Sequence, residues 1–137
     1  MTVNDQYYPA APPSESNPTP CAFPYRGYGL NFMTDAGVFS KGELDVGSRQ
    51  LLDALPALSG AVLDIGCGWG AIGVAIAKAN KAARVTMVDV NRRALRLCRQ
   101  NCTRNGVTAE VIESDGMAEV LGRKFAAIVP TPPIRAG

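Results

Sequence analysis

The sequence predicts an α/β fold built on a parallel sheet, and two observations support this prediction. Short apolar segments that are typical of strands alternate four times with segments of helical periodicity. The first of these strands leads directly into a glycine-rich turn and then into an apolar helix. Alternation of this kind is made by right-handed crossovers, so the strands should lie parallel, with helices packed against the sheet.

The individual elements follow from residue 46 onward. Leu51, Leu52 and Leu55 recur at helical spacing, and Pro56 stands near the end of that helix. Asn91 suits the N-cap of the next long helix, and Asn105-Gly106 is a typical helix ending. The remaining periodicities predict strands at 61–65, 84–90, 109–113 and 125–129 and helices at 71–80, 92–104 and 116–122.

The first 24 residues differ from the rest in composition. They contain six of the ten prolines, and proline both lacks an amide donor and fixes its own backbone. This predicts a tail or linker over residues 1–24 and a folded domain over residues 25–137. Within the domain, residues 25–40 alternate bulky side chains with glycine, which predicts a hairpin or a lid.

Composition argues against several classes of protein. The 137 residues suffice for one domain, and a net charge of +2 is too small to indicate a nucleic-acid partner by itself. The chain has no histidine and four cysteines without zinc-site spacing, so we expect no metal. Two of them, Cys98 and Cys102, share a helix face and are expected to be buried core residues. Without a signal peptide or a long apolar span, we expect a reducing, cytoplasmic location and no membrane.

The candidate site begins at the turn Asp64-Ile65-Gly66-Cys67-Gly68-Trp69-Gly70. Its glycines allow close approach of the backbone to a ligand, and the following helix offers amide groups at its N-terminus. Alone, the turn fits a nicotinamide or flavin dinucleotide equally well, or a strand-to-helix turn without a ligand. Asp89 ends the next strand, where a carboxylate can accept hydrogen bonds from ribose hydroxyls, which favours a nucleoside cofactor without identifying it.

Two later strand ends narrow the choice. Asp115 follows the third strand, where its carboxylate suits an adenine amino group or, equally, a helix cap. Thr131-Pro132-Pro133-Ile134 follows the fourth strand, and dinucleotide enzymes have no need of a Pro-Pro pair there. Because the carboxyl ends of parallel strands meet at one edge, these features together predict a single crevice and favour S-adenosyl-L-methionine (AdoMet) over a dinucleotide.

From about residue 25 to residue 137 the sequence resembles the small-domain class I methyltransferases related to ribosomal small-subunit RNA guanine-N2 methyltransferases. The segments that carry the resemblance are 34–42, 44–48, 62–73, 85–91, 105–107 and 132–137. The resemblance implies a Rossmann-like sheet, of which this chain would hold about four parallel strands, with an N-terminal extension. It also implies AdoMet as cofactor and methyl transfer to the exocyclic N2 of guanine in ribosomal RNA.

The resemblance further assigns roles to residues. Asp64 and the glycines would cradle the methionine part of the cofactor, Asp89 would hold the ribose and Asp115 the adenine. The turn after the fourth strand would grip the target base. The cofactor-binding candidates are Phe39, Ser40, Lys41, Asp64, Gly66, Cys67, Gly68, Gly70, Asp89, Val90 and Asp115, and the catalytic candidates are Thr131, Pro132, Pro133 and Ile134.

The chain departs from the family pattern at Thr131, where the family usually has Asn. An amide oxygen there can accept a hydrogen of the poorly nucleophilic base amino group and align its lone pair. Because Thr131 lacks the amide, a catalytically silent cofactor- or RNA-binding remnant is the alternative. Ala126 and Pro130 also differ from the family. Since the family sheet has seven strands, we expect a C-terminal truncation that leaves the fourth strand unpaired and able to self-associate.

Basic residues give a weaker indication of the substrate. Arg92, Arg96 and Arg99 share one helix face, which suits RNA phosphates but more simply a solvated surface. Arg26 and Arg135 are expected to flank the crevice and are the better candidates for phosphate contact.

Overall fold

A computed structural model describes residues 18–35 and 44–131. Within these ranges an antiparallel hairpin precedes a parallel sheet with three helices. A 3-10 turn at Ala118–Val120 replaces the helix predicted at 116–122. The elements are β1 (Pro18–Tyr25), β2 (Tyr28–Asp35), α1 (Val46–Ala54), β3 (Gly60–Ile65), α2 (Ala71–Ala79), β4 (Ala83–Asp89), α3 (Arg92–Arg104), β5 (Glu110–Glu113) and β6 (Ala127–Pro130).

The parallel sheet has the strand order β5-β4-β3-β6, which confirms the predicted four parallel strands. The chain runs outward from β3 to β5 and then returns to place β6 on the other side of β3. In an open α/β sheet, this reversal of direction leaves a crevice beyond the carboxyl ends of the strands. The fold therefore puts the expected site next to β3.

The outer strand β6 tolerates a proline because of the direction in which its amides point. The amide of Thr131 donates to the carbonyl of Ile65 on β3, 2.9 Å away. Successive amide groups of a strand point to opposite sides, so the nitrogen of Pro130 faces away from β3. A missing N–H there breaks no hydrogen bond of the sheet. Among the described residues no strand pairs with this outer side of β6. Self-association through it stays a prediction.

The two faces of the sheet carry different side chains. Val62 and Met87 point toward α2 and α3 and join the larger core cluster, whereas Leu63 and Val88 point to the opposite face with Val120. Side chains alternate along a strand, so Asp64, two residues after Val62, lies on the helix-covered face. This places a carboxylate among apolar side chains.

The hairpin is confirmed, but it begins earlier than the sequence predicts. Residues 18–24, which their prolines assigned to a tail, form most of β1 and pack on the core. The prolines occupy exposed positions of the strand, while Cys21, Phe23 and Tyr25 alternate with them and are buried. The prediction of an unpacked tail is therefore wrong for 18–24. Residues 1–17 and the lid expected up to residue 40 lie outside the described residues, apart from β2, and the division into domains stays a prediction.

Two asparagines, one within α3 and one at its C-cap, hold the hairpin against the helix. The side chain of Asn105 accepts from the amide of Asn31, 2.9 Å away, and donates to its carbonyl, 2.8 Å away. One helical turn earlier, Asn101 makes the same pair of bonds with Met33, at 2.9 and 3.0 Å. Two side-chain amides spaced four apart therefore take the place of a neighbouring strand along β2.

Asn101 also reaches the glycine-rich turn. Its Nδ2 atom donates to the carbonyl of Trp69 at 2.8 Å, in addition to the bond with Met33. Asn101 is fully buried, and the Trp69 ring packs edge-on against Phe32 of β2, with ring centroids 5.0 Å apart. The hairpin, α3 and the turn are therefore fixed to one another at one point.

We predict that Asn101→Ala destabilises the fold by about 2–4 kcal/mol, because it leaves the buried carbonyl of Trp69 and the part-buried amide and carbonyl of Met33 without this partner. Thr103→Ala, on the exposed side of α3, is the matched control and should change the free energy of unfolding by less than about 0.5 kcal/mol. Urea denaturation followed by circular dichroism measures both. Equal midpoints for the two variants would show that this link does not support the fold.

Candidate functional site

The described strand ends are held together at the carboxyl edge of the sheet by backbone hydrogen bonds. The amides of Gly66 and Cys67 both donate to the carbonyl of Val88, at 2.9 and 3.0 Å. On the far side of β4, the amide of Ser114 donates to the carbonyl of Asp89 at 3.0 Å. The structure therefore places Asp115, Asp89, the glycine turn and Thr131 along one edge, in the order β5-β4-β3-β6 of the strands they follow.

The glycines of the turn adopt backbone conformations that other residues rarely adopt. Gly66, Gly68 and Gly70 have φ angles of 73°, 56° and 104°. A Cβ atom at Gly66 or Gly68 would meet no atom of the described residues within 4 Å, whereas one at Gly70 would lie 3.0 Å from the sulfur of Cys98. Gly70 thus packs on α3, and Gly66 and Gly68 border open space that a ligand can occupy.

Asp89 fixes the shape of the turn and still has capacity for a ligand. Its Oδ2 atom accepts from the amide of Gly68 at 2.8 Å, and Oδ1 accepts from the amide of Asn91 at 2.9 Å. A carboxylate oxygen has a second lone pair, so each oxygen can accept a further bond from a hydroxyl. Val90, directly after it, is 58% exposed and offers an apolar surface beside this carboxylate.

The sequence allows Asp115 to be either a helix cap or a ligand of the adenine amino group, and the contacts of its neighbour Ser114 distinguish these two roles. The hydroxyl of Ser114 accepts from the amide of Glu119 at 3.1 Å and donates to the carbonyl of Gly116 at 2.8 Å. Ser114 is buried and satisfies this short turn, a role that the sequence analysis did not assign to it. The exposed carboxylate of Asp115 accepts no hydrogen bond from the part of the chain that the structure describes, so it is available to a ligand.

Asp64 lies beneath the turn, not on its surface. The side chain is fully buried, and its Oδ1 atom accepts a hydrogen bond from the hydroxyl of Thr131 at 2.6 Å. The other oxygen, Oδ2, has no partner of hydrogen-bond geometry among the described residues. Burial raises the pKa of Asp64 from 3.8 to about 7, although the Thr131 hydroxyl and the backbone of Gly73 oppose this rise, while the charge of Asp89 adds to it.

Gly73 is a residue of this site that sequence reasoning missed. A Cβ atom there would lie 2.3 Å from the sulfur of the buried Met87 and 2.9 Å from Oδ2 of Asp64. Only glycine therefore lets the first turn of α2 approach β3 and β4 so closely. The available signal was a glycine inside a helix, a position where it costs about 1 kcal/mol unless packing requires it.

The cysteines are structural. All four are buried, which confirms the expectation for Cys98 and Cys102. A hydrogen bond with Cys98 and burial together raise the pKa of the Cys102 thiol, so it stays protonated. Cys67 is only 3% exposed, so at the turn it can offer a ligand its backbone more readily than its side chain.

The arginines of α3 serve mainly within the protein. Arg92 pairs with Glu113 at 3.0 Å, and Arg99 donates to the carbonyl of Val111 at 3.1 Å. Of the predicted stripe, Arg96 is exposed and makes no such contact with the described residues. A solvated, internally paired helix face is therefore the better description.

The expectation that Arg26 flanks the crevice is wrong. Arg26 lies at the hairpin turn, and its guanidinium donates to the carbonyl of Leu55 at the end of α1. Tyr28, on the other side of that turn, lies under Lys78, with 5.8 Å between the ammonium and the ring centroid. Lys78 is in the last turn of α2, whereas the glycine turn is at its start, so Arg26 lies at the opposite end of the helix.

An open groove of about 710 Å³ also lies at that opposite edge, among the amino ends of the strands and lysines 78 and 81. The described residues contain no cluster of three potential metal ligands and no helix long and apolar enough to cross a membrane.

Seven candidate residues lie outside the described ranges: Phe39, Ser40, Lys41, Pro132, Pro133, Ile134 and Arg135.

Comparison with known proteins identifies the family of this chain. The family model of the methyltransferase small domain matches residues 29–137. The chain belongs to this family. The match confirms the family that the sequence resembles and argues against the dinucleotide-dependent oxidoreductase that the glycine spacing alone left open.

Individual relatives agree with this assignment. The chain is 40% identical over 139 residues to YbxB of Bacillus subtilis, covering 98% of this chain and 69% of that protein. It is 50% identical over 108 residues to the ribosomal RNA small subunit methyltransferase C of Aeromonas hydrophila, covering 79% of this chain and 31% of that protein. The T. thermophilus 16S rRNA N2 methyltransferase RsmC, solved with AdoMet and guanosine, superposes with a TM-score of 0.78 at 29% identity. That match covers 93% of this chain and 36% of the other.

The buried carboxylate predicts a pH-dependent stability. Because the pKa of Asp64 is higher in the folded protein than its ordinary value of 3.8, the folded state holds this proton more tightly than the unfolded state. The stabilisation from Asp64 is therefore complete below about pH 4 and is lost as the pH rises through about 7. We expect the Tm of Asp64→Asn, relative to wild type, to rise between pH 5 and about pH 7 and to level off by pH 8.5.

Differential scanning fluorimetry across this range measures the effect. Asp115→Asn, which removes a surface carboxylate from the same edge, corrects for the general effect of losing a negative charge. Parallel Tm curves for wild type and Asp64→Asn would contradict the assignment of this titration to Asp64.

Proposed function

We propose that this chain binds AdoMet at the carboxyl edge of the sheet and transfers its methyl group to the exocyclic N2 of guanine in ribosomal RNA. The observation that carries the proposal is the convergence of four strand ends on one edge, with an open turn at Gly66 and Gly68 and a free carboxylate at Asp115. The chain spans about a third of the length of the named methyltransferases it matches, so its activity and substrate are part of the proposal.

The residues at the edge fit such a cofactor. Gly66 and Gly68 leave room for the methionine part over the N-terminus of α2, whose N-cap, Gly70, makes no side-chain cap bond. Asp89 can accept the ribose hydroxyls, and Val90 can pack against the base beside it. Asp115 can accept the adenine amino group. Asp64 is fully buried beside Thr131 and Gly73 and offers no exposed surface to the cofactor.

The chemistry asks mainly for positioning. When bound, AdoMet supplies a methyl group on a sulfonium, which is a strong electrophile. Guanine N2 is a poor nucleophile, because its lone pair is delocalised into the ring. As the N–C bond forms, the carbon–sulfur bond breaks and one amino proton leaves to solvent. The protein accelerates this by holding the nitrogen in line with the methyl group and by accepting its hydrogens.

A silent module is the second candidate, and Thr131 is the observation that favours it. The family's usual Asn would present an amide oxygen to the base, whereas the hydroxyl of Thr131 already donates to Asp64. In this alternative the chain binds AdoMet or RNA without turnover. A cytoplasmic location, which the sequence predicts, suits either candidate.

Two measurements test the proposal. Isothermal titration calorimetry with AdoMet and with NAD should show binding of AdoMet alone. A transfer assay with tritiated AdoMet on small-subunit ribosomal RNA lacking the guanine N2 methyl group should then label the RNA, and nuclease digestion should recover N2-methylguanosine. AdoMet binding without labelling would favour the silent module, and NAD binding without AdoMet binding would overturn both candidates.

We predict that Asp115→Ala weakens AdoMet binding by about tenfold, because one hydrogen bond to a charged acceptor is lost. Asp115 is a cleaner target than Asp89, whose carboxylate also holds the turn. Glu119→Ala removes an exposed carboxylate four residues along the chain and should leave the Kd unchanged. Calorimetry gives both values, and an unchanged Kd in Asp115→Ala would exclude Asp115 from the adenine site.

A further inference from the structure

We propose that Asp64 and Thr131 act as a unit, in which the buried carboxylate fixes the hydroxyl proton of Thr131 inward and leaves the hydroxyl oxygen as an acceptor for the amino group of the target base. Thr131 would then contact the substrate, and Asp64 would be a positioning residue. The inference rests on the proposed function, because it assigns the acceptor that the reaction needs.

The geometry gives the hydroxyl a defined direction. Thr131 Oγ1 lies 2.6 Å from Oδ1 of Asp64, a distance typical of a strong bond from a hydroxyl to a carboxylate. The backbone on both sides is fixed, since the amide of Thr131 donates to Ile65 and Asp64 lies within β3, which pairs with β6. The hydroxyl of Thr131 therefore has one direction, whereas the hydroxyl of a surface threonine rotates freely.

A hydroxyl that donates its only proton keeps its lone pairs for other partners. Donation to a carboxylate also increases the negative charge on the hydroxyl oxygen, which makes it a better acceptor. Thr131 is only half-buried, and it follows β6 at the carboxyl edge, in the position where the family usually has Asn. One polarised hydroxyl can thus replace one amide oxygen as the acceptor for an amino hydrogen.

The arrangement depends on the charge of Asp64. If Asp64 is protonated, it can donate to Thr131, and the hydroxyl proton then turns outward toward the base amino group, which is also a donor. The titratable groups around Asp64 are Asp89 at the end of β4 and the thiols of Cys67 and Cys98 on the turn and α3. The pKa of each thiol is raised, so these stay neutral and Asp89 supplies the neighbouring charge.

Guanosine and inosine provide a direct test, because inosine lacks only the exocyclic amino group. We expect AdoMet-loaded protein to bind guanosine more tightly than inosine by about 3- to 10-fold at pH 8, as measured by calorimetry or NMR titration. Thr131→Val has the same shape without the hydroxyl and should abolish this preference. Thr131→Ser restores the hydroxyl and should restore the preference.

Asp64→Asn supplies a second variant. Its amide oxygen can still accept the Thr131 proton, so the preference for guanosine should persist but lose its dependence on pH. In wild type, the preference should fall as the pH is lowered from 8 to 6. An NMR titration of the Asp64 carboxyl carbon should show a higher midpoint in Thr131→Val than in wild type, since the hydroxyl stabilises the ionised form. AdoMet affinity and Tm, recorded for every variant, confirm that each one folds.

The outcomes separate this inference from the proposed function. A preference that survives in Thr131→Val, or is absent in wild type, overturns the inference whether or not RNA is methylated. An unchanged carboxyl midpoint in Thr131→Val overturns the coupling between the two residues. Conversely, a preference for guanosine that depends on Thr131, in a protein that methylates no RNA, supports the inference and rejects the proposed activity.

Discussion

The buried side chain of Asn101 fixes the elements on which the site depends. Through one amide group it joins the hairpin at Met33 to the glycine turn at Trp69, from its position on α3. A loop of glycines has little intrinsic preference for one shape, because glycine loses more conformational freedom on folding than other residues. The shape of this turn is therefore imposed from outside it. Asn101 donates a hydrogen bond to the carbonyl of Trp69 in the turn, and the carboxylate of Asp89 accepts one from the amide of Gly68.

The same reasoning explains why so much polar chemistry is buried under an apolar sheet. Asp64 and Asn101 occupy positions where hydrophobic side chains would pack more simply. Each holds a neighbouring segment at a defined distance, Asn101 through its whole amide group and Asp64 through Oδ1. Gly73 serves the same arrangement by its lack of a side chain, because it admits α2 to the face where Asp64 lies. The carboxyl edge is thus supported by groups that are themselves inaccessible to solvent.

Much of this fold follows from local sequence signals. The strand and helix pattern from residue 46 onward is decided by periodicity and by caps such as Asn91, which accepts from two amides of α3 as expected. The sequence of β1 does not indicate a strand, because its prolines are a stronger local signal than the alternation of Cys21, Phe23 and Tyr25. Asn101 gave no signal, because a single polar residue in an amphipathic helix looks like any other. The contact between Asp64 and Thr131 joins residues 67 apart and depends on the register of β3 with β6, which no local pattern contains.

The prolines of β1 also bear on how this protein meets other chains. Pro18, Pro20 and Pro24 share one parity along the strand, and Ala22 is the remaining residue of that set. A strand directs the amides of one parity toward its partner and those of the other parity outward, and prolines suit only the outward set. Among the described residues, the side of β1 that faces away from β2 therefore carries the amide of Ala22 as its one backbone donor between residues 18 and 24. A foreign strand would meet carbonyl acceptors there but only a single amide donor, so the prolines disfavour the edge-to-edge pairing that begins aggregation.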